Sequence, residues 1–213
     1  MTVSVVERTA QGRARRLLVL LPGYGDEPTV FTDHLAAIDP RDEWQVAVVR
    51  PPITTPEGPA WFRVDDDGPV ADDITAAIEH LCTTCTEAID RLGLDPADVV
   101  LAGYSQGGAM ALATATDPSI PVRPGAVAAL AAYLPHRESD QDATLLAGRP
   151  VLVAHGADDE IVDALLGRSA AKALERAGAR VTWAEVDGGH TLHPHLLDAL
   201  RAWLDTLPVP ATS

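Results

Sequence analysis

The sequence predicts an α/β domain, with a mostly parallel central sheet covered by helices on both faces. Three observations predict it. Short apolar runs recur along the chain, and longer Ala- and Leu-rich segments alternate with them. Most of the runs are near-continuously apolar rather than alternating, as strands buried on both faces must be. No repeat, low-complexity tract or linker divides the chain, so residues 1–207 read as one domain and 208–213 as a C-terminal tail.

TVSVVER (2–8) reads as a strand forming an antiparallel hairpin with LLVLLP (17–22), turning at Gln11-Gly12. The basic cluster from Arg13 to Arg16 would then be a solvated part of that hairpin. A helix is expected near 28–38, then the strand QVAVVR (45–50). The stretch 51–69, PPITTPEGPAWFRVDDDGP, holds too many prolines and glycines for regular structure through much of its length. It nevertheless carries Trp61 and Phe62 in a chain with 4% aromatics. These two either form a pocket wall, which makes them substrate-binding candidates, or pin the loop to the core.

A long helix follows at 70–92, then the strand DVVLAG (98–103) and a helix at 106–116. GAVAAL (125–130) is the next strand, and 133–148 is a polar, Pro-containing loop. PVLVAHG (150–156) and RVTWAEV (180–186) complete the strands, with helices at 161–177 and 192–206.

Charge and composition exclude several function classes. The 213 residues carry a net charge of -15, which argues against nucleic-acid partners and anionic membranes, since both reward clustered Lys and Arg. No apolar segment approaches the roughly 18 residues that a spanning helix needs, so stable membrane insertion is not expected. The N-terminus lacks a basic region followed by an apolar stretch, and two cysteines make no disulfide framework. A cytoplasmic protein is the expectation.

Gly103-Tyr104-Ser105-Gln106-Gly107 matches the G-x-S-x-G nucleophile elbow, between a predicted strand and a predicted helix. A serine on a sharp strand-to-helix turn sits in a strained conformation, and flanking glycines let strand and helix approach. The turn lifts Oγ above the sheet, and the helix N-terminus offers N–H groups to a developing oxyanion. The competing reading is a serine helix cap in a glycine-rich turn. A nucleophilic serine needs a base and an orienting carboxylate. Asp158 and Asp159 follow one predicted strand and His190 follows the next, giving the order Ser–Asp–His of α/β-hydrolases. His193 and His195 read as surface residues and His155 as a residue that shapes the acid loop. His34, His80 and His136 lack convergent partners in the sequence.

An oxyanion hole needs a second N–H. In LLPGYGDEP (20–28), Gly23 and Gly25 would let backbone approach a substrate, Tyr24 is placed to offer its N–H, and Gln106 would supply the other. The spacing lacks the Gly-Lys-Ser/Thr of a phosphate loop. Cys82-Thr83-Thr84-Cys85 places two thiols on one helix face, but turns away from the helix N-terminus, where a thiol pKa would fall. They read as small buried residues rather than as a redox pair.

LPGYGD (21–26), GPAWF (58–62), GYSQGGAMAL (103–112), YLP (133–135), PVLVAHGADDEIV (150–162) and GGH (188–190) together resemble the phospholipase/carboxylesterase group of α/β-hydrolases, which includes the acyl-protein thioesterases. The resemblance implies an α/β-hydrolase fold without a large lid and a serine hydrolase that needs no metal or organic cofactor. Its His-Gly-x-x-Asp pattern selects Asp159 over Asp158. Carried over likewise, Ser105 is the nucleophile, His190 the base, and Tyr24 and Gln106 the oxyanion donors, with Gly23, Trp61 and Phe62 as substrate-binding candidates. Two departures stand out: Pro22-Gly23 where the family commonly has His-Gly, and Ala131-Ala132 where it often has Ser-Gly. The implied activity is cleavage of a small-molecule acyl ester or thioester, as a carboxylesterase. A lysophospholipase or acyl-protein thioesterase is the alternative, and a non-catalytic binding protein on the same fold a further one. A homodimer is compatible with this reading but not required by it.

Overall fold

The structure is a computed structural model that describes residues 5–8, 15–66, 68–121, 123–135 and 142–208. Its centre is a sheet built from β1 (Val5–Arg8), β2 (Leu17–Leu21), β3 (Gln45–Val49), β8 (Val99–Tyr104), β9 (Ala126–Leu130), β10 (Pro150–Gly156) and β11 (Arg180–Val186). Two small hairpins lie between β3 and the first long helix: β4 (Ile53–Thr55) with β5 (Gly58–Ala60), and β6 (Val64–Asp65) with β7 (Gly68–Pro69). The helices are α1 (Thr29–Thr32), α2 (Leu35–Ile38), α3 (Ala71–Leu92), α4 (Gln106–Thr116), α5 (Ala164–Arg176) and α6 (Pro194–Leu204).

The sheet order is β1-β3-β2-β8-β9-β10-β11, parallel throughout except for β1, which runs antiparallel to β3. The alternation of side chains along β2 shows why its sequence is apolar at every position. Leu17, Val19 and Leu21 face a layer containing Ile74, Leu81, Met110, Leu112 and Leu174 of α3, α4 and α5. Leu18 and Leu20 face the opposite layer, with Phe31, Ile38, Leu200 and Trp203 of α1, α2 and α6. Both faces are covered, so no position on this strand is left for a polar side chain.

The N-terminal hairpin expected from the sequence is not formed. The strand β1 pairs with β3 (Val5↔Val49 through Arg8↔Val46), and both edges of β2 are taken by β3 and β8. A central parallel strand has no edge to offer, so β1 adds to the free side of β3. There Arg8 is ion-paired with Asp39 and Asp42, while the Asp39 carboxylate also accepts the Glu43 and Trp44 N–H groups. The proposed turn at Gln11-Gly12, and Arg13 after it, lie outside the described residues, as does His136. Arg16 is buried, not solvated: its guanidinium lies 3.9 Å from the centroid of the Trp44 ring. A long apolar stem and a planar cation suit such a stack.

The helix expected at 28–38 is two single turns, interrupted at His34, whose backbone (φ -112, ψ 3) is not helical. By contrast, α3 runs for 22 residues and buries Ile74, Ala77, Ile78, Leu81, Ala88 and Ile89 at helical spacing. It ends where Gly93 turns left-handed (φ 64), a conformation glycine adopts without steric cost. The proline-rich stretch is more regular than expected, since β4 to β7 fold it into the two hairpins. Gly58 is required there: a Cβ on it would lie 2.6 Å from the Gly25 carbonyl oxygen.

Candidate active site

The strand β8 hands over to α4 through Ser105, whose φ of 51 and ψ of -120 are strained for a residue with a Cβ. Strand and helix approach so closely that the flanking positions admit only glycine. A Cβ on Gly103 would lie 2.2 Å from the Gly107 carbonyl oxygen, and one on Gly107 2.1 Å from that of Leu21. The Ser105 N–H donates to the Leu130 carbonyl at 2.8 Å, which ties the elbow to β9. Its side chain makes no capping hydrogen bond to α4. The helix-cap reading therefore does not describe what Oγ does.

Instead Ser105 Oγ lies 2.9 Å from His190 Nε2, and His190 Nδ1 lies 2.7 Å from Asp159 Oδ2. The other oxygen of Asp159 accepts the N–H groups of Ile161 and Val162 at 3.0 and 2.8 Å. Burial pushes the Asp159 pKa up, but the hydrogen bonds from His190, Val162 and Ile161 and the His190 charge outweigh it. The carboxyl is held below its usual range. Asp158 points to solvent and takes no part in this chain of contacts. Two backbone hydrogen bonds fasten the acid loop to the histidine loop: Ala157 N–H to the Val186 carbonyl at 2.8 Å, and Asp158 N–H to that of Gly188 at 3.0 Å. Gly156 has to be small, because a Cβ there would lie 2.4 Å from the Gly188 oxygen.

His155 is fully buried, with Nε2 2.8 Å from the Val162 carbonyl and 3.2 Å from Asp159 Oδ2. It braces the acid loop, and Gly167 leaves room for its ring. His195 is exposed, as a surface residue should be, but His193 is half-buried with Nε2 unpartnered, its ring packed against Gly188. His34 precedes α2 and His80 lies within α3; neither joins the contacts around Ser105. Among the described residues, no group of three or more His, Cys, Asp or Glu side chains is arranged to hold a metal ion.

The turn after β2 sits beside the elbow. A Cβ on Gly23 would lie 2.7 Å from Asp26 Oδ2 and 3.4 Å from Ser105 Cβ, so glycine lets this turn lie close to both. Tyr24 exposes its ring and donates its hydroxyl to Glu57 Oε2 at 2.9 Å, while the Gly25 N–H reaches the Pro59 carbonyl at 2.8 Å. Among the described residues, neither the Tyr24 N–H nor the Gln106 N–H meets a protein acceptor. Gln106 opens α4, where a backbone N–H has no partner within the helix. Its side chain is committed elsewhere: Oε1 accepts the Trp61 N–H at 2.8 Å and Nε2 donates to the Phe62 carbonyl at 2.7 Å.

Trp61 and Phe62 have no accessible surface, and Trp61 Nε1 donates to the Pro22 carbonyl at 2.8 Å. Of the two roles the sequence left open, these contacts are those of an anchor, because a side chain with no exposed surface cannot line a pocket. The anchor also supports the turn at Pro22, where an imidazole was missing. At the second departure, Ala132 is buried over the elbow helix, its Cβ 2.7 Å from the position a Gly108 Cβ would take. Ala131 adopts a φ of 49 and donates its N–H to the Ala154 carbonyl.

The spacing of motifs did not single out Asp26, yet the structure places it at this site. Burial raises its pKa above the usual carboxylate range, with the Gly23 N–H and the His190 charge offsetting only part of the effect. Tyr104, whose ring centroid is 5.3 Å from that of His190, is pushed well above its ordinary pKa by burial and by the charges of Asp26 and Asp159. The one available signal was an acidic residue closing a glycine-rich turn after a strand.

The sequence model of the phospholipase/carboxylesterase family matches residues 1–207, and the chain belongs to that family. It is 30% identical over 160 residues to acyl-protein thioesterase 1 of Gibberella zeae, covering 68% of this chain and 67% of that protein. A probable inactive carboxylesterase of Oryza sativa subsp. japonica is 26% identical over 222 residues, 93% of this chain and 87% of the relative. Among solved structures, the esterase PE8 superposes with a TM-score of 0.79 at 26% identity, over 96% of this chain and 99% of that one.

Proposed function

We propose that this carboxylic ester hydrolase cleaves its substrate through an acyl-enzyme on Ser105. The observation that carries the reading is the unbroken contact from Ser105 Oγ through His190 to the Asp159 carboxylate, built on a strained elbow. His190 takes the serine proton as Oγ attacks the acyl carbon, and Asp159 holds the imidazole and stabilises its charged form. The Tyr24 and Gln106 N–H groups receive the oxyanion, a contribution of about 3–4 kcal/mol per donor. His190 then protonates the leaving group, and water repeats the sequence to free the acid. Gly23 serves the substrate by leaving space at the hydroxyl. Trp61 and Phe62 serve it indirectly, by fixing Gln106 and the Pro22 carbonyl.

Residues 1–207 carry this activity as one domain; the tail expected at 208–213 lies, from residue 209 on, outside the described residues. Two cysteines without a disulfide framework support a cytoplasmic location. Among the described residues no helix is long and apolar enough to cross a membrane. The substrate is a small-molecule acyl ester, and the scheme needs no second copy of the chain.

The test pairs a fluorophosphonate probe with a short p-nitrophenyl ester, on the wild-type protein and Ser105→Ala. Stoichiometric labelling and turnover, both lost in the variant, are expected. Equal turnover in the two proteins overturns the reading. Similarity to an acyl-protein thioesterase, within a phospholipase/carboxylesterase family, favours thioester or lysophospholipid cleavage as a second reading. Rates on ester and thioester substrates of increasing acyl length separate it from the first. A chain that only binds ligand, the reading favoured by the probable inactive relative, would leave the probe unreacted.

A further inference from the structure

The Gly-Tyr-Gly-Asp turn ends in a carboxylate that the acyl-enzyme scheme leaves without a task. Asp26 is half-buried, and its side chain folds back over its own turn. The carboxylate lies over Gly23, with Oδ2 2.7 Å from where a Cβ on that residue would be, and the Gly23 N–H lowers its pKa against burial, while the Asp26 N–H points back to the Gly23 carbonyl at 3.4 Å. The two ends of the turn are therefore linked in both directions, with Tyr24 between them.

The same carboxylate is close to the reacting groups. A Cβ on Gly23 would lie 2.7 Å from Asp26 Oδ2 and 3.4 Å from Ser105 Cβ, so carboxylate and serine both border the same glycine. The His190 charge lowers the Asp26 pKa, and the Asp26 charge raises that of the Tyr104 phenol. Asp159 approaches His190 through Nδ1, and Glu27, next to Asp26 in the chain, turns away to pair with Arg50 at 3.0 Å.

A four-residue turn with two glycines is permissive by itself. An N–H that must meet an oxyanion at hydrogen-bond distance has to be fixed in advance. We propose that Asp26 is a positioning residue: by binding the Gly23 N–H, it holds the 23–26 turn in the form that aims the Tyr24 N–H at the oxyanion beside Ser105. This rests on the reading of Ser105 as nucleophile and Tyr24 as donor.

Asp26→Ala and Asp26→Asn, compared with wild type on p-nitrophenyl acetate, test it. Asparagine keeps an acceptor for the Gly23 N–H and drops the charge; alanine removes both. Asp26→Ala should lower kcat by about 30- to 100-fold with KM changed by no more than about threefold, the size of loss a misplacement near 1 Å produces. Asp26→Asn should recover kcat to within about fivefold of wild type. Should Asp26→Ala not fold, Asp26→Glu takes its place with the same expected loss, since the added methylene displaces the acceptor. A wild-type kcat in Asp26→Ala, or an Asp26→Asn as slow as Asp26→Ala, overturns the assignment. Failure of the underlying reading shows separately, as a wild-type protein that the fluorophosphonate does not label.

Discussion

The two motifs in this chain that look chemical adjoin opposite ends of β8, the elbow at one end and the cysteines of α3 near the other, and they sit in opposite surroundings. At its C-terminal end Ser105 is strained, meets His190 at 2.9 Å, and is followed by the Gln106 N–H, which has no acceptor among the described residues. Toward its N-terminal end Val99 and Leu101 line a small apolar cavity together with Cys82, Cys85, Ile89 and Ile120. Here burial pushes the Cys85 thiol up to about 12, with the neighbouring Cys82 adding to the shift. Both cysteines are half-buried rather than buried as the sequence suggested, and a thiol reacts as thiolate, so Cys85 is held in its inert form. Spacing alone made both motifs candidates. What separates them is whether neighbouring groups stabilise the reactive form or only exclude water.

The largest effect that could break this contrast is at the elbow. Ser105→Ala and His190→Ala should each reduce kcat on a short ester by at least about 10³-fold, and the double variant should lose little more, since the three residues act as a unit. Additive losses in the double variant would mean that the serine and histidine work separately. Asp159→Asn should cost up to about 10⁴-fold while leaving the contact geometry intact, because the amide stabilises the wrong imidazole tautomer. A steady-state assay at saturating substrate reads all of these.

Gly107→Ala sharpens the comparison from the packing side. The new methyl meets the Leu21 and Pro22 carbonyl oxygens at 2.1 and 2.4 Å, and backbone cannot swing aside. A loss of about 2–3 kcal/mol in urea unfolding is expected, with turnover falling as the elbow opens. Asp159 adds a pH signature. Its folded pKa lies below the usual value, so its contribution is present above the unfolded pKa and is lost as pH falls through the folded one. The stability gap between wild type and Asp159→Asn, from urea midpoints, should therefore shrink as the pH drops below about 4.

The smallest effects belong to the cysteine end. Cys85→Ala should leave kcat and KM unchanged and cost no more than about 1 kcal/mol of stability for the lost half-buried sulfur. In the native protein Cys85 should react slowly with a disulfide reagent and rapidly once unfolded. Fast labelling of both thiols in the folded state would remove the contrast between the two ends of the strand.

Much of this was legible in the linear chain, for specific reasons. The alternation of Leu17 to Leu21 between two buried layers leaves a mark on every residue, so the parallel sheet could be read directly. The elbow was legible because its sterics admit glycine alone at 103 and 107. The partner of β1 was not, because local pattern says that a segment is a strand but not which edge is free. The anchoring of Trp61 and Phe62 was not, because an aromatic pair on a loop has the same sequence whether it faces a pocket or the Gln106 amide. Nor was Asp26 legible, since its contacts with the Gly23 N–H and the field of His190 exist only once the turn closes.

By itself the sequence determined the layers, the order of strands and helices, and the residue types at the elbow, acid and histidine positions. These follow from local periodicity, steric exclusion and chemistry that each segment carries alone. Tertiary structure decided which groups meet: it joined residues 85 and 31 positions apart into one hydrogen-bonded chain. It also turned Gln106 into a clamp with a free N–H and left Cys85 inert in an apolar cavity beside the same strand. Distance, burial and partner are properties of the closed fold, and reactivity depends on all three.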